Sequence, residues 1–372
     1  MSQKTISQSR LAWARWAPTL VTSLAAVLIV LIAILRANGD PLALARLGTH
    51  FLQGDPDGTQ GYDGQFIYYI ARDPTPERVT GYLDVPAYRY QRILLPMLAR
   101  LFSFGNLALI PWALVILGVL SIAGGVWAVG ELLAGWGISR WYALVYGFYA
   151  GFLLALIVDL PEPLAYGLAA AGLLLLEREQ RLAGWLLLSL AVFAKETTLL
   201  FSAGVLLAYL FQRRWKDLIG LSAIGVVPYL IFQLWLWNVF GEPGIGSGGA
   251  LATPFEIIPF MGLLRIGEYS LIYLLAMLLV FGPAIVLPSI WGIWKTVRHW
   301  LTGERNLFVA CLFINALVIP FTPFSTFRET GGILRFACGL VLALLLYCGR
   351  YRMRKILNYT LFWLVLMVFL IK

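Results

Sequence analysis

Charged residues are scarce in this chain: Asp, Glu, Lys and Arg make up 13% of its 372 residues, whereas soluble domains typically contain about 25%. Cysteine and histidine are scarcer still, with three and two copies, and they form no CxxC motif or Cys/His cluster in the sequence. These shortages argue against a soluble domain, a disulfide framework and a zinc site. Hydrophobic residues make up 60% of the chain and the mean hydropathy is +0.81, which predicts a polytopic membrane protein.

Long apolar runs recur along the sequence, and several are long enough to cross a bilayer. They cover residues 17–36, 107–133, 141–158, 218–237, 269–294, 307–321, 332–348 and 356–371. Three shorter runs, at 164–176, 182–194 and 199–211, predict tilted or broken helices inside a bundle. We therefore expect an all-α fold of about eleven transmembrane helices, formed as a single domain over residues 1–372 without a separate soluble domain.

The distribution of charge predicts how these helices are oriented. If the N-terminus, with Lys4, Arg10 and Arg15, lies in the cytoplasm, alternate counting places every short basic cluster on the cytoplasmic side. These clusters contain Arg140, Arg178, Arg181, Arg213, Arg214, Lys216, Lys295, Arg298, Arg305, Arg350, Arg352, Arg354 and Lys355. The net charge of +9 therefore indicates membrane orientation rather than binding of nucleic acid. Acidic residues fall mainly on the opposite side, which predicts an outward-facing site.

Five predicted outer connections carry polar side chains that are costly inside a bilayer. The first is the loop 37–92, centred on the segment Gly61-Tyr62-Asp63-Gly64-Gln65-Phe66, and we expect it to be an active-site element. The other four contain Asp159 and Glu162, Lys195 and Glu196, the loop 238–268, and Arg328, Glu329 and Arg335. Charged residues at membrane depth are functional candidates, usually paired with one another, so we expect these connections to share one site.

The first loop also carries a recognisable pattern. Residues 61–74, GYDGQFIYYIARDP, and residues 88–96, YRYQRILLP, resemble the active-site loop of integral membrane glycosyltransferases of the GT-C superfamily. The resemblance is to a branch with mannosyltransferase-like and uncharacterised bacterial members. The segments Glu162-Pro163-Leu164 and Lys195-Glu196-Thr197 are similar to later elements of the same families. Where many relatives have Trp before the Asp, this chain has Tyr62.

The resemblance implies a GT-C-like fold whose long first outer loop carries one or two interfacial helices. It also implies an enzyme that transfers a sugar from a polyprenyl-phosphate donor to a glycan or lipid acceptor, usually with inversion at the anomeric carbon. The site would then lie outside the bacterial cytoplasmic membrane. Because no large soluble domain is expected, we predict a small or lipid-bound acceptor, or help from a partner protein.

The residue types suit that chemistry. Asp63 is the candidate general base, because a carboxylate within hydrogen-bond reach can take the proton of an acceptor hydroxyl. Arginine suits a lipid-phosphate leaving group because its planar fork matches phosphate oxygens. The arginine candidates are Arg89, Arg92, and either Arg328 or Arg335. The other predicted substrate-binding residues are Tyr62, Gln65, Arg72, Asp73, Asp159, Glu162, Lys195, Glu196 and Glu329.

Several of these residues have simpler alternatives. Asp63 lies between two glycines, a setting in which Asp commonly forms a turn. The carboxylates beside Pro161 could cap the next helix, and Lys195/Glu196 and Arg328/Glu329 could each be a local ion pair. The segment 55–58, Asp-Pro-Asp-Gly, is either a turn or a ligand set for a divalent cation, so metal use stays open.

The protein as a whole has alternatives too. A multi-span transporter or lipid flippase would also place charge on broken helices, but near the bilayer midplane and in repeated halves, and no internal repeat is evident. A non-catalytic scaffold would not need a loop so rich in Asp, Arg and Tyr. The glycine-rich segment 241–249 lacks the Lys-Ser/Thr ending of a phosphate loop, so it predicts a flexible connection.

Overall fold

The structure is a computed structural model that describes residues 3–370, with side chains described from Arg15 onward. The predicted cytoplasmic side chains of Lys4 and Arg10 lie outside this described part. Within residues 3–370 the chain is helical and contains no β-strand, which confirms the all-α prediction.

Eleven helices of nine or more residues form the framework. They are α1 (Gln3–Arg36), α2 (Gly64–Arg72), α3 (Leu94–Phe102), α4 (Ile110–Gly135), α5 (Glu162–Glu177), α6 (Arg181–Ala194), α7 (Leu199–Phe211), α8 (Trp215–Phe240), α9 (Leu271–Leu301), α10 (Leu307–Val318) and α11 (Cys338–Arg350).

Shorter elements connect them. The short α-helices are Thr49–Gln53, Pro76–Val79, Pro86–Tyr90, Ala143–Gly147, Ala150–Leu156, Met261–Leu264, Ile266–Tyr269, Phe324–Arg328, Thr330–Phe336 and Arg354–Thr360. Turns of 3-10 helix cover Pro41–Ala45, Thr80–Tyr82, Arg140–Tyr142, Glu196–Thr198, Ile319–Phe321 and Leu361–Leu370.

Four of the helices are long and apolar enough to cross a membrane: α1 from Arg15 onward, α4, α8 and α9. A fifth candidate is the pair formed by Thr330–Phe336 and α11, which is bent by 41°. These apolar helices are typical of a membrane-embedded protein. Helices α5, α6 and α7 are apolar but shorter, in agreement with the three short runs of the sequence, and α10 is short as well.

Several predictions differ from the structure in detail. The run 307–321 forms a shorter apolar helix, and the run 356–371 is divided between the α-helix Arg354–Thr360 and the 3-10 helix Leu361–Leu370. The run 141–158 does not form one continuous helix but three short ones, interrupted at Phe148 and Tyr149. A Cβ atom on Gly147 would lie 2.5 Å from Cγ2 of Thr22, so close packing against α1 takes precedence over helix continuity there. The first loop carries four short α-helices and two 3-10 turns rather than one or two interfacial helices.

The interior is organised around α11. Every residue from Cys338 to Gly349 is buried, as expected for a helix that is surrounded by others rather than placed at the edge. In contrast, few residues of α8 and α9 are buried, and several large apolar ones, such as Leu234, Ile272 and Leu279, are exposed. An exposed apolar surface of this extent is typical of helices that contact lipid.

Helices α8 and α9 each contain a turn of π-helix, at Ser222–Val226 and Gly282–Val286. Pro228 follows the first of these turns and Pro283 lies inside the second. Proline has no N–H and clashes with the preceding turn, and a wider π-helical turn accommodates it without ending the helix. The apolar run therefore continues through both irregularities as one long helix.

Candidate functional site

A single cavity of about 830 Å³ lies where several helix connections meet. Its wall is formed by residues on the first loop, on the first turns of α5 and α7, on the connection between α8 and α9, and on the segment before α11. The lining side chains that carry charge are Asp63, Arg92, Glu162, Lys195, Glu196 and Arg335. The structure thus brings together charged residues from connections far apart in sequence.

Local backbone requirements place Asp63 at this cavity. Gly61 has φ of +69°, a left-handed conformation in which glycine is favoured, and the Tyr62 N–H donates to the Arg46 carbonyl at 3.0 Å. A Cβ atom on Gly64 would clash with the Val158 carbonyl oxygen and lie 3.2 Å from that of Ala45, so the second glycine lets α2 begin against the backbone of both segments. The two glycines that flank Tyr62-Asp63 therefore hold the carboxylate at the N-terminal end of α2.

Two arginines contact the Asp63 carboxylate. Arg89 Nη1 lies 3.1 Å from Oδ1, and Arg335 Nη1 lies 3.2 Å from Oδ2 although it is 272 positions away in sequence. The Asp63 side chain remains 28% exposed, so it can still be reached from the cavity. Burial alone would raise the pKa of Asp63, but Arg89 and Arg335 outweigh burial and hold that pKa well below its usual range.

Glu162 is the most deeply buried acid of the cavity. Lys195 Nζ donates to its Oε1 at 2.9 Å, and Arg335 Nη1 lies 3.6 Å from the same oxygen. Arg335 is therefore shared between Glu162 and Asp63. Its guanidinium also lies over the Tyr62 ring, 5.4 Å from the ring centroid.

Arg92 and Glu196 form the second strong pair. Arg92 Nε and Nη2 donate to the two Glu196 oxygens at 2.8 and 2.6 Å, a bidentate arrangement, and Nη2 also donates to the Tyr88 hydroxyl. Burial alone would raise the pKa of Glu196, but the contact with Arg92 lowers it to about 2. Burial alone would lower the pKa of Arg92, but Glu196 and Tyr88 raise it well above its usual value. Both groups are therefore ionised at neutral pH.

These contacts decide between some of the alternatives. Lys195 and Glu196 do not pair with each other, because each bonds to a residue from another connection. Arg328 and Glu329 do form a local pair at 3.9 Å, with both side chains about half exposed. Neither Asp159 nor Glu162 caps the helix that begins beside them, since no side chain accepts a bond from the first N–H groups of α5.

Several predicted substrate-binding residues do not line the cavity. Gln65 is buried beneath the loop, where it accepts a bond from the Gly48 N–H and donates to the Gln60 carbonyl. Asp73 accepts from the Thr75 N–H and from Arg78, and Arg72 is exposed. Their positions on α2 indicate that only the N-terminal end of this helix faces the site. Asp159, Arg328 and Glu329 do not line the cavity either. The same is true of Tyr62 and Arg89, which contact its lining residues Arg335 and Asp63.

Asp159 has an unusual environment. It is buried, its φ is +51°, and neither carboxylate oxygen has a hydrogen-bond partner among the described residues. Burial raises the pKa of Asp159 well above its usual range. Burial at this position therefore favours the neutral carboxylic acid over the carboxylate.

Three parts of the site were not among the predicted site residues. Tyr88 contacts Arg92, and Asp84 forms a bidentate pair with Arg89 through Nε at 2.6 Å and Nη2 at 2.8 Å. The glycine loop, which we define as residues 241–255, supplies much of one cavity wall. The only sequence signal for Asp84 is an acid close to two candidate arginines in the same loop.

No group of three or more His, Cys, Asp or Glu side chains within the described residues is arranged to hold a metal ion. The segment 55–58 forms a hydrogen-bonded turn, in which the Asp57 N–H donates to Asp55 Oδ1 and the Gly58 N–H to the Asp55 carbonyl. The turn alternative therefore accounts for its geometry.

No protein-family model, curated protein or solved structure is similar enough to the chain to match it. The interpretation of the site accordingly depends on its own geometry and chemistry.

Proposed function

We propose that this protein is a membrane glycosyltransferase that transfers a sugar from a polyprenyl-phosphate donor to a hydroxyl acceptor in the cavity around Asp63. The observation that carries the proposal is the position of the Asp63 carboxylate, which lines the cavity and lies between the guanidinium groups of Arg89 and Arg335. Of these two arginines, Arg335 also lines the cavity. The resemblance of residues 61–96 to GT-C enzymes supports the same conclusion.

We also propose the GT-C-like arrangement of about eleven spans, in which the shorter helices α5, α6, α7 and α10 cross as tilted helices.

The proposed reaction is a single displacement. The acceptor hydroxyl oxygen forms a bond to the anomeric carbon while the bond from that carbon to the donor phosphate oxygen breaks. The electron pair of the broken bond leaves with the phosphate, and the hydroxyl proton passes to Asp63. One base on the face opposite the leaving group is sufficient for inversion, so no second catalytic carboxylate is required.

The cations of the site are proposed to stabilise the leaving phosphate. Every one of them is already paired: Arg89 with Asp84 and Asp63, Arg92 with Glu196, and Lys195 with Glu162. Arg335 is the candidate that turns toward phosphate, because its guanidinium is divided between two acids and lines the cavity. Such a donor in a water-poor site can lower a barrier by a few kcal/mol.

This shift would also activate the base. A carboxylate whose pKa is held far below neutral is a weak proton acceptor, and efficiency rises as the pKa approaches the working pH. When Arg335 moves from Asp63 toward a bound phosphate, one cause of the low pKa is removed. Donor binding and base activation are therefore coupled in this proposal.

The test compares Asp63→Asn with Glu77→Gln, a control that removes an exposed acid from the same loop. Purified protein in lipid nanodiscs is given radiolabelled polyprenyl-phosphate sugars and membrane lipids, and the labelled product is measured. We expect Asp63→Asn to lose about a hundredfold or more in rate, and the control to retain it.

Equal transfer by wild type and Asp63→Asn would refute the assigned base. Absence of turnover with every donor would instead favour a transporter or lipid flippase, and movement of substrate in proteoliposomes without bond formation would establish that alternative.

A further inference from the structure

Asp84 has four hydrogen-bond donors around its carboxylate. Oδ1 accepts from Arg89 Nε at 2.6 Å and from the Val85 N–H at 2.8 Å. Oδ2 accepts from Arg89 Nη2 at 2.8 Å and from the Ala250 N–H at 3.1 Å. The side chain is 9% exposed and does not line the cavity. A carboxylate with all its partners within the protein is suited to holding other groups rather than to binding a ligand.

The first group that it holds is Arg89. Asp84 occupies the edge of the guanidinium formed by Nε and Nη2, which leaves only Nη1 for Asp63, at 3.1 Å. Arg89 also lies over the Phe66 ring, 4.3 Å from its centroid, so the plane of the guanidinium is fixed. Without Asp84, Arg89 would be free to form a two-point pair with Asp63 and to cover the oxygen that a proton must reach.

The second group is the glycine loop. Beyond its contact with Asp84, the loop is attached at its start by the Ile245 N–H, which donates to Gln233 at 2.9 Å, and at its end by Thr253, which bonds to Ser325. Between these ends, the Ala250 contact is the only hydrogen bond that joins the loop to another part of the described chain. A Cβ atom on Gly249 would lie 2.7 Å from Arg89 Nη2, so the loop lies directly against the arginine.

We infer that Asp84 is a positioning residue, which turns one edge of Arg89 away from Asp63 and at the same time attaches the glycine loop over the cavity. The loop attachment follows from the fold alone, whereas the effect on Asp63 depends on the proposed function. Because one carboxylate makes both contacts, opening of the loop and release of Arg89 are coupled.

The test uses Asp84→Asn, with Asp84→Glu as the conservative variant and Glu77→Gln as the control. An amide has one acceptor oxygen, so Asn cannot accept from all four donors, and its NH2 group would face either Arg89 Nε or the Ala250 N–H. Hydrogen exchange measured by mass spectrometry on full-length protein in nanodiscs should show faster exchange in peptides covering residues 244–252. We expect about a tenfold increase, which corresponds to about 1.4 kcal/mol, with no change in peptides from α4.

Transfer assays supply the second measurement. We expect Asp84→Asn to lower kcat about tenfold with a smaller change in KM, and Asp84→Glu to recover part of the loss. The comparison variant Gln233→Leu removes the acceptor at the start of the loop, together with a 3.4 Å bond to Gln91, and leaves Asp84 in place. It should accelerate exchange around Ile245 while lowering kcat less than Asp84→Asn does.

The outcomes separate the two proposals. Unchanged exchange across residues 244–252 in Asp84→Asn would overturn the loop attachment whether or not the protein transfers sugars. Normal kcat in Asp84→Asn, in a preparation whose wild type is active and whose Asp63→Asn variant is not, would overturn the positioning of Arg89 and leave the proposed function in place. Faster exchange with no activity in any preparation would confirm the loop attachment and count against the proposed function.

Discussion

At the scale of single residues, the site shows how the cost of burying charge is met. Asp63, Glu162 and Glu196 each have at least one cation within 3.1 Å, so their ionised forms are compensated. Asp159 has no such partner among the described residues, although it is buried. Ionisation of the paired acids is compensated in the folded protein, whereas ionisation of Asp159 is not. The stability effect of Asp159 is the simpler of the two to test.

We predict that Asp159→Asn stabilises the protein at neutral pH. The pKa of Asp159 is raised in the folded state, whereas the unfolded chain ionises near its ordinary pKa of about 4, so ionisation favours unfolding as pH rises above that value. The amide cannot ionise and tolerates the left-handed backbone well. The advantage of the variant should grow by up to about 1.4 kcal/mol per pH unit above about 4 and vanish below it.

Thermal unfolding in detergent between pH 3 and pH 8 measures this difference. Asp73→Asn is the control with opposite sign, because hydrogen bonds to Thr75 lower the pKa of Asp73 and its contribution is lost in acid. A wild type more stable than Asp159→Asn at pH 7 would show that Asp159 has a charged partner in the working protein.

Sequence reasoning was most successful where charge is costly. Polar residues on the connections after apolar runs were expected to meet, and Asp63, Arg92, Glu162, Lys195, Glu196 and Arg335 do line one cavity. Their catalytic and binding roles stay predictions. The sequence could not predict which charged side chains form ion pairs, because the neighbours Lys195 and Glu196 bond to different partners. Nor could it predict that Arg72 and Asp73, at the C-terminal end of α2, lie outside the cavity. These choices depend on distances between elements, which a local pattern does not contain.

At the scale of elements, close helix packing depends on small residues. Helix α7 approaches α10 at Gly204, where a Cβ atom would lie 2.7 Å from the Cα atom of Cys311. Backbone atoms cannot move aside as the end of a side chain can. Gly124 in α4 is the opposite case, because nothing lies within 4 Å of the position its Cβ would take.

We predict that Gly204→Ala destabilises the protein by about 1–3 kcal/mol through overpacking. The matched variant Gly124→Ala should be neutral or stabilising by about 0.5–1 kcal/mol, because alanine favours helix more than glycine does. Thermal unfolding of the two variants in the same detergent measures the difference. Equal melting temperatures would indicate that α7 and α10 are further apart than described.

Apolar runs in the sequence predict some of the helical elements but not others. The sequence was sufficient to predict the all-α fold class, because long apolar runs have few folded alternatives. It also predicted the approximate positions of α4, α8, α9 and α10. The break within 141–158 could not be predicted, and the close approach of Gly147 to Thr22 beside it involves a distant helix, which a local pattern does not contain. Apart from α2, the five other elements of the first loop could not be predicted either, because runs of three to five residues carry little periodicity.

At the scale of the whole molecule, the proposed orientation can be tested with introduced cysteines. Cys311, Cys338 and Cys348 are all buried, so they should not react with a membrane-impermeant maleimide. Glu77 and Lys216 are exposed and lie on opposite sides in the proposed topology. We predict that Glu77→Cys is labelled in intact cells and that Lys216→Cys is labelled only after permeabilisation. Labelling in the reverse order would invert the orientation and place the cavity in the cytoplasm.

The pairing of every cation around the cavity has a consequence for how ligands arrive. Four acids, Asp63, Asp84, Glu162 and Glu196, balance four bases, Arg89, Arg92, Lys195 and Arg335. A neutral cluster of this kind creates little electric field beyond about 10 Å, so it cannot steer an anion from a distance. Capture should therefore be nearly insensitive to ionic strength. Ligands are therefore distinguished only once they contact the site, where an incoming anion must compete with a carboxylate for each cationic side chain.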